Sequence, residues 1–461
     1  MAAAEKPLHY LTIDEASKLI QKRALSPVDL TKAVLDRIAA VDGKLNAYLN
    51  LMSDRALSEA RAAESEIQKG DYKGALHGIP VAVKDQLDLK GAPALIRGNK
   101  AQAPRDAAAV ERLRKAGAVV LGKLTMSSLP GDIPAPKNPW DTSRITGGSS
   151  TGPGAAVAAG LCLGALGEDT AGSIRNPASL CGLVGFKPTY GLVSRRGLAP
   201  LCWSLDHCGP MTWTVEDNAH MLQAIAGYDA EDPTSVEGPV PNYTAALKTD
   251  VKGLKIGVPR DYIEECSART DGEVLTLVDQ AIEELKTLGA RVEDVKLPAL
   301  QLATFTDAMI YYNEQFSAVR RNLKEIIKNG APATRARMYV GLLTSAGDYV
   351  QAQRLRSRLR RECQEVFSRV DVLALPCQLK PAPTFAESGP LDTLWKHLEP
   401  EYQAPFNLVG LPALSLPCGF ARGNLPVALQ LVGKPFDEAT VLGAAYAYQQ
   451  KLKWYEKRPG I

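Results

Sequence analysis

The chain has 461 residues, of which 45% are hydrophobic and 23% charged, and its formal net charge is +3. This composition is typical of a globular protein with a large core, and the scattered Lys and Arg residues argue against a nucleic-acid partner. The first residues lack the apolar run of a signal peptide, and the longest weakly polar run, Gly154 to Gly167, is too short to span a bilayer. We therefore expect a cytoplasmic protein with no membrane partner, and we leave open whether it forms a homo-oligomer.

Elements predicted in the first half of the chain alternate between helix and strand. In chain order they are helices near 13–23 and 27–41, a buried strand at 79–83, a helix at 107–116 and a strand at 118–121. The first helix opens on a capping box, Thr12 to Glu15, and the second opens on Ser26-Pro27, with proline at the first helical position. This alternation predicts an α/β sheet whose faces are covered by helices.

The second half of the chain predicts more strands and one long helical stretch. In chain order they are a strand at 254–258, a helix at 273–288, a strand at 291–295, helix over about 301–370, strands at 370–375 and 413–416, and a closing helix at 437–452. Four prolines predict an ordered loop at 130–140, and 228–252 is a polar connection. Eight cysteines are scattered without a CxxC pair, which favours reduced core residues and no metal site.

A glycine- and serine-rich turn, Gly147 to Gly152, is the first candidate for chemistry. It is not a P-loop, because no lysine follows its second glycine. Residues 148–152 match the G-x-S-x-G pattern of a nucleophile elbow, but no apolar strand precedes them, and His207 is the only plausible downstream histidine. Read alone, the turn is equally well explained as a flexible or phosphate-cradling loop.

Two further features could take part in the same chemistry. The run from Asp169 to Pro177 brings small residues to Ser173, so its backbone N–H groups could form an oxyanion hole, or Ser173 could simply cap a helix. Lys84 directly follows the buried strand at 79–83, where an apolar environment would favour the neutral amine and so a general base. The alternative for Lys84 is a structural ion pair with Asp85 or Asp88.

The three features, in the order Lys, Gly-Gly-Ser-Ser, Gly-Ser-Ile-Arg, resemble the amidase signature family. Similar segments run over nearly the whole chain: 78–85, 147–160, 169–177, 181–182, 185–189, 204–206, 209–210, 214–217, 407–412 and 430–433. The resemblance implies one large α/β domain, 1–461, with a mostly mixed central sheet covered by helices on both faces. Within it we expect an N-terminal helical scaffold at 1–70, a catalytic core at 71–225, and the remaining sheet and substrate-pocket loops at 226–461.

The resemblance also implies a role for each matching residue. Ser173 would be the nucleophile, Ser149 the bridging hydroxyl after a cis Gly148–Ser149 peptide bond, and Lys84 the base. The oxyanion hole would be formed by the N–H groups of Thr170, Ala171, Gly172 and Ser173, and the supporting residues would be Ser150, Asp169 and Arg175. Neither metal nor cofactor is implied.

Departures from the family pattern bear on substrate. Ala171 stands where the family usually has glycine, which raises a question about the oxyanion-hole geometry. The segment 126–138 is shorter than the loop that normally walls the site, which suggests an open pocket for bulky amides, anilides, esters or carbamates (urethanes), hydrolysed by water. Two alternatives remain: a non-catalytic scaffold, and the A subunit of a glutamyl-tRNA amidotransferase, whose characteristic Asn-Leu-Ala-Arg run is missing at 313–319.

Overall fold

A computed structural model describes residues 6–97, 99–127, 129, 133–330, 332–389 and 399–461. The helices, in chain order, are α1 (Ile13–Gln21), α2 (Pro27–Leu45), α3 (Ser53–Gln68), α4 (Ala108–Lys115), α5 (Thr151–Ala158), α6 (Arg175–Cys181), α7 (Val215–Ile225), α8 (Arg260–Ser267), α9 (Gly272–Thr287), α10 (Ala303–Val319), α11 (Leu323–Asn329), α12 (Pro332–Leu343), α13 (Ala346–Phe367), α14 (Ala404–Val409) and α15 (Glu438–Leu452).

The strands, in chain order, are β1 (Tyr48–Leu51), β2 (Pro80–Lys84), β3 (Pro93–Ala94), β4 (Asn99–Gln102), β5 (Val119–Leu124), β6 (Lys137–Asn138), β7 (Asp141–Ile145), β8 (Gly164–Asp169), β9 (Val184–Lys187), β10 (His207–Thr212), β11 (Lys255–Val258), β12 (Arg291–Asp294), β13 (Val372–Pro376), β14 (Ala413–Ala421) and β15 (Leu425–Gly433). Within the described residues, 11 strands form one sheet in the order β1-β5-β2-β8-β10-β9-β14-β15-β13-β11-β12. The sheet mixes parallel and antiparallel pairs and is flanked by helices, which confirms the predicted fold class. The three-part division of the chain stays a prediction.

The middle of this sheet brings the candidate residues together. Strand β2 pairs in parallel with β5 on one side and with β8 on the other, with Val83 opposite Leu166. Every residue of these three strands is buried. Because β2 and β8 are parallel neighbours, their carboxyl ends meet at one edge of the sheet, where Lys84 and Asp169 end the two strands.

Local signals at the N-terminus act as predicted. The Thr12 hydroxyl accepts from the Glu15 amide at 3.0 Å and the Glu15 carboxylate accepts from the Thr12 amide at 2.8 Å, which completes the capping box. The Ser26 hydroxyl caps α2 by accepting from the amides of Val28 and Asp29. All eight cysteines are free and buried, as the sequence indicates.

The glycine-rich region is more regular than its composition suggests. Residues 151–158 form α5, whose side chains are all buried. A Cβ on Gly152 would lie 2.5 Å from the Thr125 carbonyl oxygen, so glycine allows this helix to pack directly on neighbouring backbone. The glycines therefore serve close packing, and the interpretation as a flexible loop is wrong for the part of the turn that α5 contains.

Two other expectations differ from the structure. The helical stretch predicted over about 301–370 is divided into α10 to α13, with Gly330 ending α11 and Pro332 beginning α12. Ser345 then starts α13 with a capping box. The proline-rich loop at 130–140 contains β6, which pairs with β7 directly after the loop, although residues 130–132 lie outside the described part. No helix among the described residues combines the length and the apolar character needed to cross a bilayer.

Candidate active site

Lys84 occupies the position that its place in the sequence indicates, at the buried end of β2. Its side chain is 0% exposed. The Nζ atom donates a hydrogen bond to the Ser149 hydroxyl, with 2.8 Å between Nζ and Oγ. An amine at this distance from a hydroxyl can exchange a proton with it directly, so the first contact of the predicted proton path is present.

A residue that the sequence analysis did not single out also contacts Lys84. The Glu168 carboxylate lies 2.9 Å from Nζ, and both side chains are 0% exposed. The expectation of an apolar environment for Lys84 is therefore wrong, because a buried carboxylate lies in contact with its amine. Asp85, one of the two ion-pair partners considered, pairs with Lys123 instead, at 2.9 Å.

The two serine segments are joined through Ser150. The Ser150 amide donates to the Ser173 carbonyl oxygen at 3.2 Å, and the Ser150 hydroxyl donates to the Glu168 carbonyl oxygen at 3.1 Å. The Gly148–Ser149 peptide bond is cis, as expected. Ser149 and Ser173 are each partly exposed, so a substrate can approach the hydroxyl groups from the solvent side.

Asp169 organises the loop that carries Ser173. Its carboxylate accepts hydrogen bonds from the backbone amides of Gly172 (2.7 Å), Ile174 (3.0 Å) and Arg175 (3.3 Å). Although burial favours the neutral acid, the charge and hydrogen bonds of Arg175 hold the pKa of the Asp169 carboxyl below its ordinary value. The loop is thus wound around a buried anion that stays ionised.

Arg175 is fully buried and does not face solvent. Its guanidinium forms an ion pair with Asp169 and donates to the Gln403 carbonyl and to the side chains of Gln430 and Asn407. These contacts connect the Ser173 loop to α14 and β15. Asp169 and Arg175 therefore hold the Ser173 loop against these neighbouring elements.

The expected oxyanion hole is altered at one member. The Gly172 N–H already donates to Asp169 Oδ1 at 2.7 Å, so this amide is not free to bind an oxyanion. The N–H groups of Thr170, Ala171 and Ser173 have no acceptor within the described part of the chain. The question raised by Ala171 is resolved, because the positive φ of this loop, 104°, belongs to Gly172 and not to Ala171.

A second acid, Asp206, reaches the same region through Thr170. The Thr170 hydroxyl contacts the carboxylate of Glu168 and also lies 2.8 Å from Asp206 Oδ1. Burial, and then the charge of Glu168, raise the pKa of Asp206 to about 7. The Asp206 carboxylate also accepts hydrogen bonds from the backbone amides of Leu201 and Cys202. Neither acid was predicted to belong to the site; for Glu168 the only available signal was an acid inside a strand of small and apolar residues.

His207 does not act on the serines in this structure. Its ring is buried against Tyr190, and its Nδ1 lies 2.5 Å from the Leu205 carbonyl oxygen. Burial and the nearby Lys187 charge lower the pKa of His207 well below its usual value. Among the described residues His207 has no hydrogen bond to Ser149 or Ser173, so the Ser-His-Asp alternative gains no support.

One cluster of possible metal ligands lies away from this site. Single ligand atoms of Asp14, Glu216 and His220 lie within 4.8 Å of one another. The ammonium of Lys18 already binds Asp14, with 2.6 Å between Nζ and Oδ2. A lysine in this place supplies the positive charge that a metal ion would bring, so we assign no ion to the cluster.

Comparison with known proteins gives consistent matches. The family model described as "Amidase" matches residues 29–442. The A subunit of the glutamyl-tRNA(Gln) amidotransferase of Moorella thermoacetica is 42% identical over 98% of this chain and 99% of its own length.

Two solved structures are similar over nearly the whole chain. One is described as a vestigial protein complex that reveals the evolutionary origins of an s-triazine catabolic enzyme. It has a TM-score of 0.89 and 31% identity, covering 96% of this chain and 99% of that one. The peptide amidase of Stenotrophomonas maltophilia has a TM-score of 0.86 and 30% identity, covering 99% of both chains.

Proposed function

Because the chain belongs to the amidase signature family, we propose that it hydrolyses C–N bonds of amide type, with Ser173 as the nucleophile. The observation that carries the proposal is the contact of 2.8 Å between the buried Lys84 Nζ and Ser149 Oγ. A serine hydroxyl is a weak nucleophile until a neighbouring group takes its proton, and this contact provides a base for the bridging hydroxyl. The similarity to a peptide amidase supports the same reaction class.

In the proposed mechanism the proton of Ser173 passes to Ser149 as the proton of Ser149 passes to neutral Lys84. The Ser173 oxygen then attacks the substrate carbonyl carbon, and the amides of Thr170, Ala171 and Ser173 stabilise the oxyanion. The proton returns through Ser149 to the leaving nitrogen, and the C–N bond breaks. Water, activated by the same groups, hydrolyses the acyl-enzyme.

The test of this proposal is covalent labelling of Ser173. A serine-directed fluorophosphonate should label the protein at Ser173, and Ser173→Ala should abolish both labelling and amide turnover. Ser179→Ala is the matched control, because Ser179 lies six positions along the same segment and only donates to the Asn176 carbonyl. Labelling that survives in Ser173→Ala contradicts the proposal, and a wild type that is not labelled supports the non-catalytic scaffold.

A second candidate is the A subunit of a glutamyl-tRNA(Gln) amidotransferase, in which the released ammonia would be used by a complex. It is favoured by 42% identity over 98% of the chain to a protein of that name. This support outweighs the objection that the characteristic run is missing at 313–319. Under this candidate tRNA is a partner of the complex, against the expectation of no nucleic-acid partner.

Ammonia release from glutamine separates the two candidates. A free-standing amidase hydrolyses carboxamides or anilides alone, whereas a member of such a complex gains glutaminase activity only when its partner proteins and the tRNA are added. No gain on their addition, together with turnover of small amides alone, contradicts the amidotransferase candidate.

The range of substrates is part of the proposal. Carbamates and esters are cleaved through the same kind of covalent intermediate on a serine. We therefore propose that at least one compound in a panel of amide, anilide, ester and urethane chromogens is a substrate. The shortened segment at 126–138 is expected to leave room for bulky groups, although residues 128 and 130–132 lie outside the described part. Turnover restricted to small primary amides contradicts an open pocket.

A further inference from the structure

Residues 199–206, the rim segment, cross the sheet edge at which β2 and β8 end. At the start of the segment the Ala199 amide donates to the Gln86 carbonyl oxygen at 2.8 Å, and the Gln86 side chain donates to the Ala199 carbonyl oxygen at 2.9 Å. Directly after the segment, His207 lies opposite Asp169 in the pairing of β10 with β8. Since Gln86 is two positions after the end of β2, the rim segment runs between the two strand ends of the candidate active site.

The turn in the middle of the rim segment is held on both sides. The Cys202 amide donates to the carboxylate of Asp206, which itself lies 2.8 Å from the Thr170 hydroxyl. The amide and the hydroxyl of Ser204 each donate to the Glu314 carboxylate at 2.8 Å. The rim segment is therefore tied to the loop that carries Ser173 and also to α10.

Trp203 lies between these two anchored residues and is left in contact with solvent. It is 54% exposed, more than any other aromatic residue in the described part of the chain. Its carbonyl oxygen accepts hydrogen bonds from the Tyr190 hydroxyl, at 2.9 Å, and from the Arg195 guanidinium. This guanidinium lies 4.9 Å from the ring centroid of Tyr190 and 4.8 Å from that of Trp203. The indole is thus held in place by its neighbours without being covered by them.

A bound ligand explains the position of Trp203 better than packing does. A large apolar ring left in water gives up the free energy that its burial would bring. An indole that is already held in place offers a ligand a wide, flat contact at little further cost in side-chain entropy. Aromatic rings pair with one another in offset-stacked or edge-to-face contacts, so an aromatic ring is the group that fits. Because the rim segment borders the Ser173 loop, the ligand within reach is the substrate.

We propose that Trp203 is a specificity-determining residue, whose indole stacks on an aromatic ring of the substrate at the rim of the candidate active site. The inference rests on the proposed function and names aryl amides and aryl carbamates as the preferred substrate class. The aromatic ring belongs either to the amine part or to the acyl part of the substrate, and the experiment has one pair of compounds for each.

The experiment compares substrates that differ only in whether their ring is aromatic. Acetanilide and N-cyclohexylacetamide test the amine part, and benzamide and cyclohexanecarboxamide test the acyl part. In Trp203→Leu the KM for the aromatic member of one pair should rise about 2- to 10-fold, with kcat within about twofold, because the stacking is lost equally from the ground state and the transition state. The KM for the alicyclic member should change by less than about twofold, because leucine keeps an apolar contact.

Two control variants separate stacking from a general disturbance of the surface. Trp203→Phe keeps a ring and should keep the KM for the aromatic member within about twofold of the wild-type value. Tyr228→Ala removes an aromatic residue that is 48% exposed and whose carbonyl oxygen binds Arg112, and it should leave all KM values unchanged. Equal KM changes for the aromatic and alicyclic members in Trp203→Leu, or no change for either, overturn the inference. So does a fall in kcat for all four compounds together with a lower melting temperature, because Trp203 would then act on the fold alone.

A footprint provides a second measurement in case the Trp203 variants do not fold. In Ser173→Ala, which should bind these compounds without cleaving them, oxidation of Trp203 by hydroxyl radicals should slow when acetanilide or benzamide is added above its wild-type KM. Mass spectrometry measures the oxidation, and an unchanged rate with both compounds overturns the inference.

The proposed function and this inference fail in different ways. An enzyme that is labelled at Ser173 but shows no dependence on Trp203, or cleaves none of the four compounds, loses only the role of Trp203. A wild type that is neither labelled at Ser173 nor active on any of the four compounds removes the proposed function and this inference together.

Discussion

Two buried lysine–carboxylate pairs lie on neighbouring strands, and only one of them belongs to the candidate active site. Lys84 of β2 pairs with Glu168, and Lys123 of β5 pairs with Asp85, each with 2.9 Å between nitrogen and oxygen and each fully buried. Lys84 also donates to a serine hydroxyl, whereas Lys123 donates to the Pro93 carbonyl. Burial and pairing alone therefore do not make a catalytic lysine; contact with a group that can pass on a proton does.

The largest expected effect comes from removing the lysine that contacts the serine. Lys84→Met should lower kcat/KM for amide hydrolysis by about 10²–10⁴-fold, because the proton acceptor is lost. Steady-state kinetics on the purified variant measure the effect. A loss of less than about tenfold would show that the two lysines do not differ as described.

Removing the other lysine should act on stability. Lys123→Met leaves the Asp85 carboxylate buried without its partner, and the free energy of unfolding should fall by about 3–5 kcal/mol, measured by urea denaturation. The double variant with Asp85→Leu should recover most of this loss, because an apolar pair replaces the ionic one. A Lys123→Met variant as stable as the wild type would contradict the assignment of a structural pair.

Asp206, which contacts Thr170 beside the first of these pairs, should make the stability of the protein depend on pH. Burial raises the folded-state pKa of Asp206 to about 7, above the ordinary value of about 3.9. Its contribution to stability is therefore complete below about pH 4 and is lost as the pH rises toward about 7. Asp206→Asn should remove this decline, which amounts to a few kcal/mol, in unfolding measurements across that range. A decline that persists in Asp206→Asn would assign the proton to another group.

The smallest expected effect concerns the loop beside Ser173. Ala171 has no positive φ, so Ala171→Gly adds only freedom to the unfolded chain and should cost about 0.4–1 kcal/mol of stability with nearly unchanged turnover. Gly172→Ala is its counterpart: φ is 104° there, and a methyl would collide with Gln403 Oε1. If both variants behave alike in thermal unfolding and turnover, the described loop geometry is wrong.

Local patterns in the sequence point to the lysine and the two serines of the candidate site. Lys84 follows a short run of β-branched residues, and Ser149 and Ser173 lie in turns rich in glycine. Each was therefore a candidate from its immediate neighbours, and its role came from the family resemblance of the three segments together. The helix starts at Thr12 and Ser26 depend on side chains within three residues, and they are found where predicted.

Contacts between distant residues could not be read in the same way. Glu168 is 84 positions from Lys84, and only the pairing of β2 with β8 brings them together. The residue pattern of β8, with glycine and alanine among its first residues, has no clear period. Nothing in it indicates which residue the Glu168 carboxylate contacts. The hydrogen bond from the Gly172 amide to the Asp169 carboxylate likewise depends on the path of the loop between them.

The eight buried thiols can be used to measure local unfolding of the protein. A thiol reagent in solution cannot reach any of these sulfur atoms while the chain is folded, since each lies beneath packed side chains. Alkylation therefore proceeds only through molecules that have transiently opened, and its rate follows the population of open forms. Mass spectrometry of the alkylated cysteines would then rank the variants by how often they unfold locally and by which part of the chain unfolds.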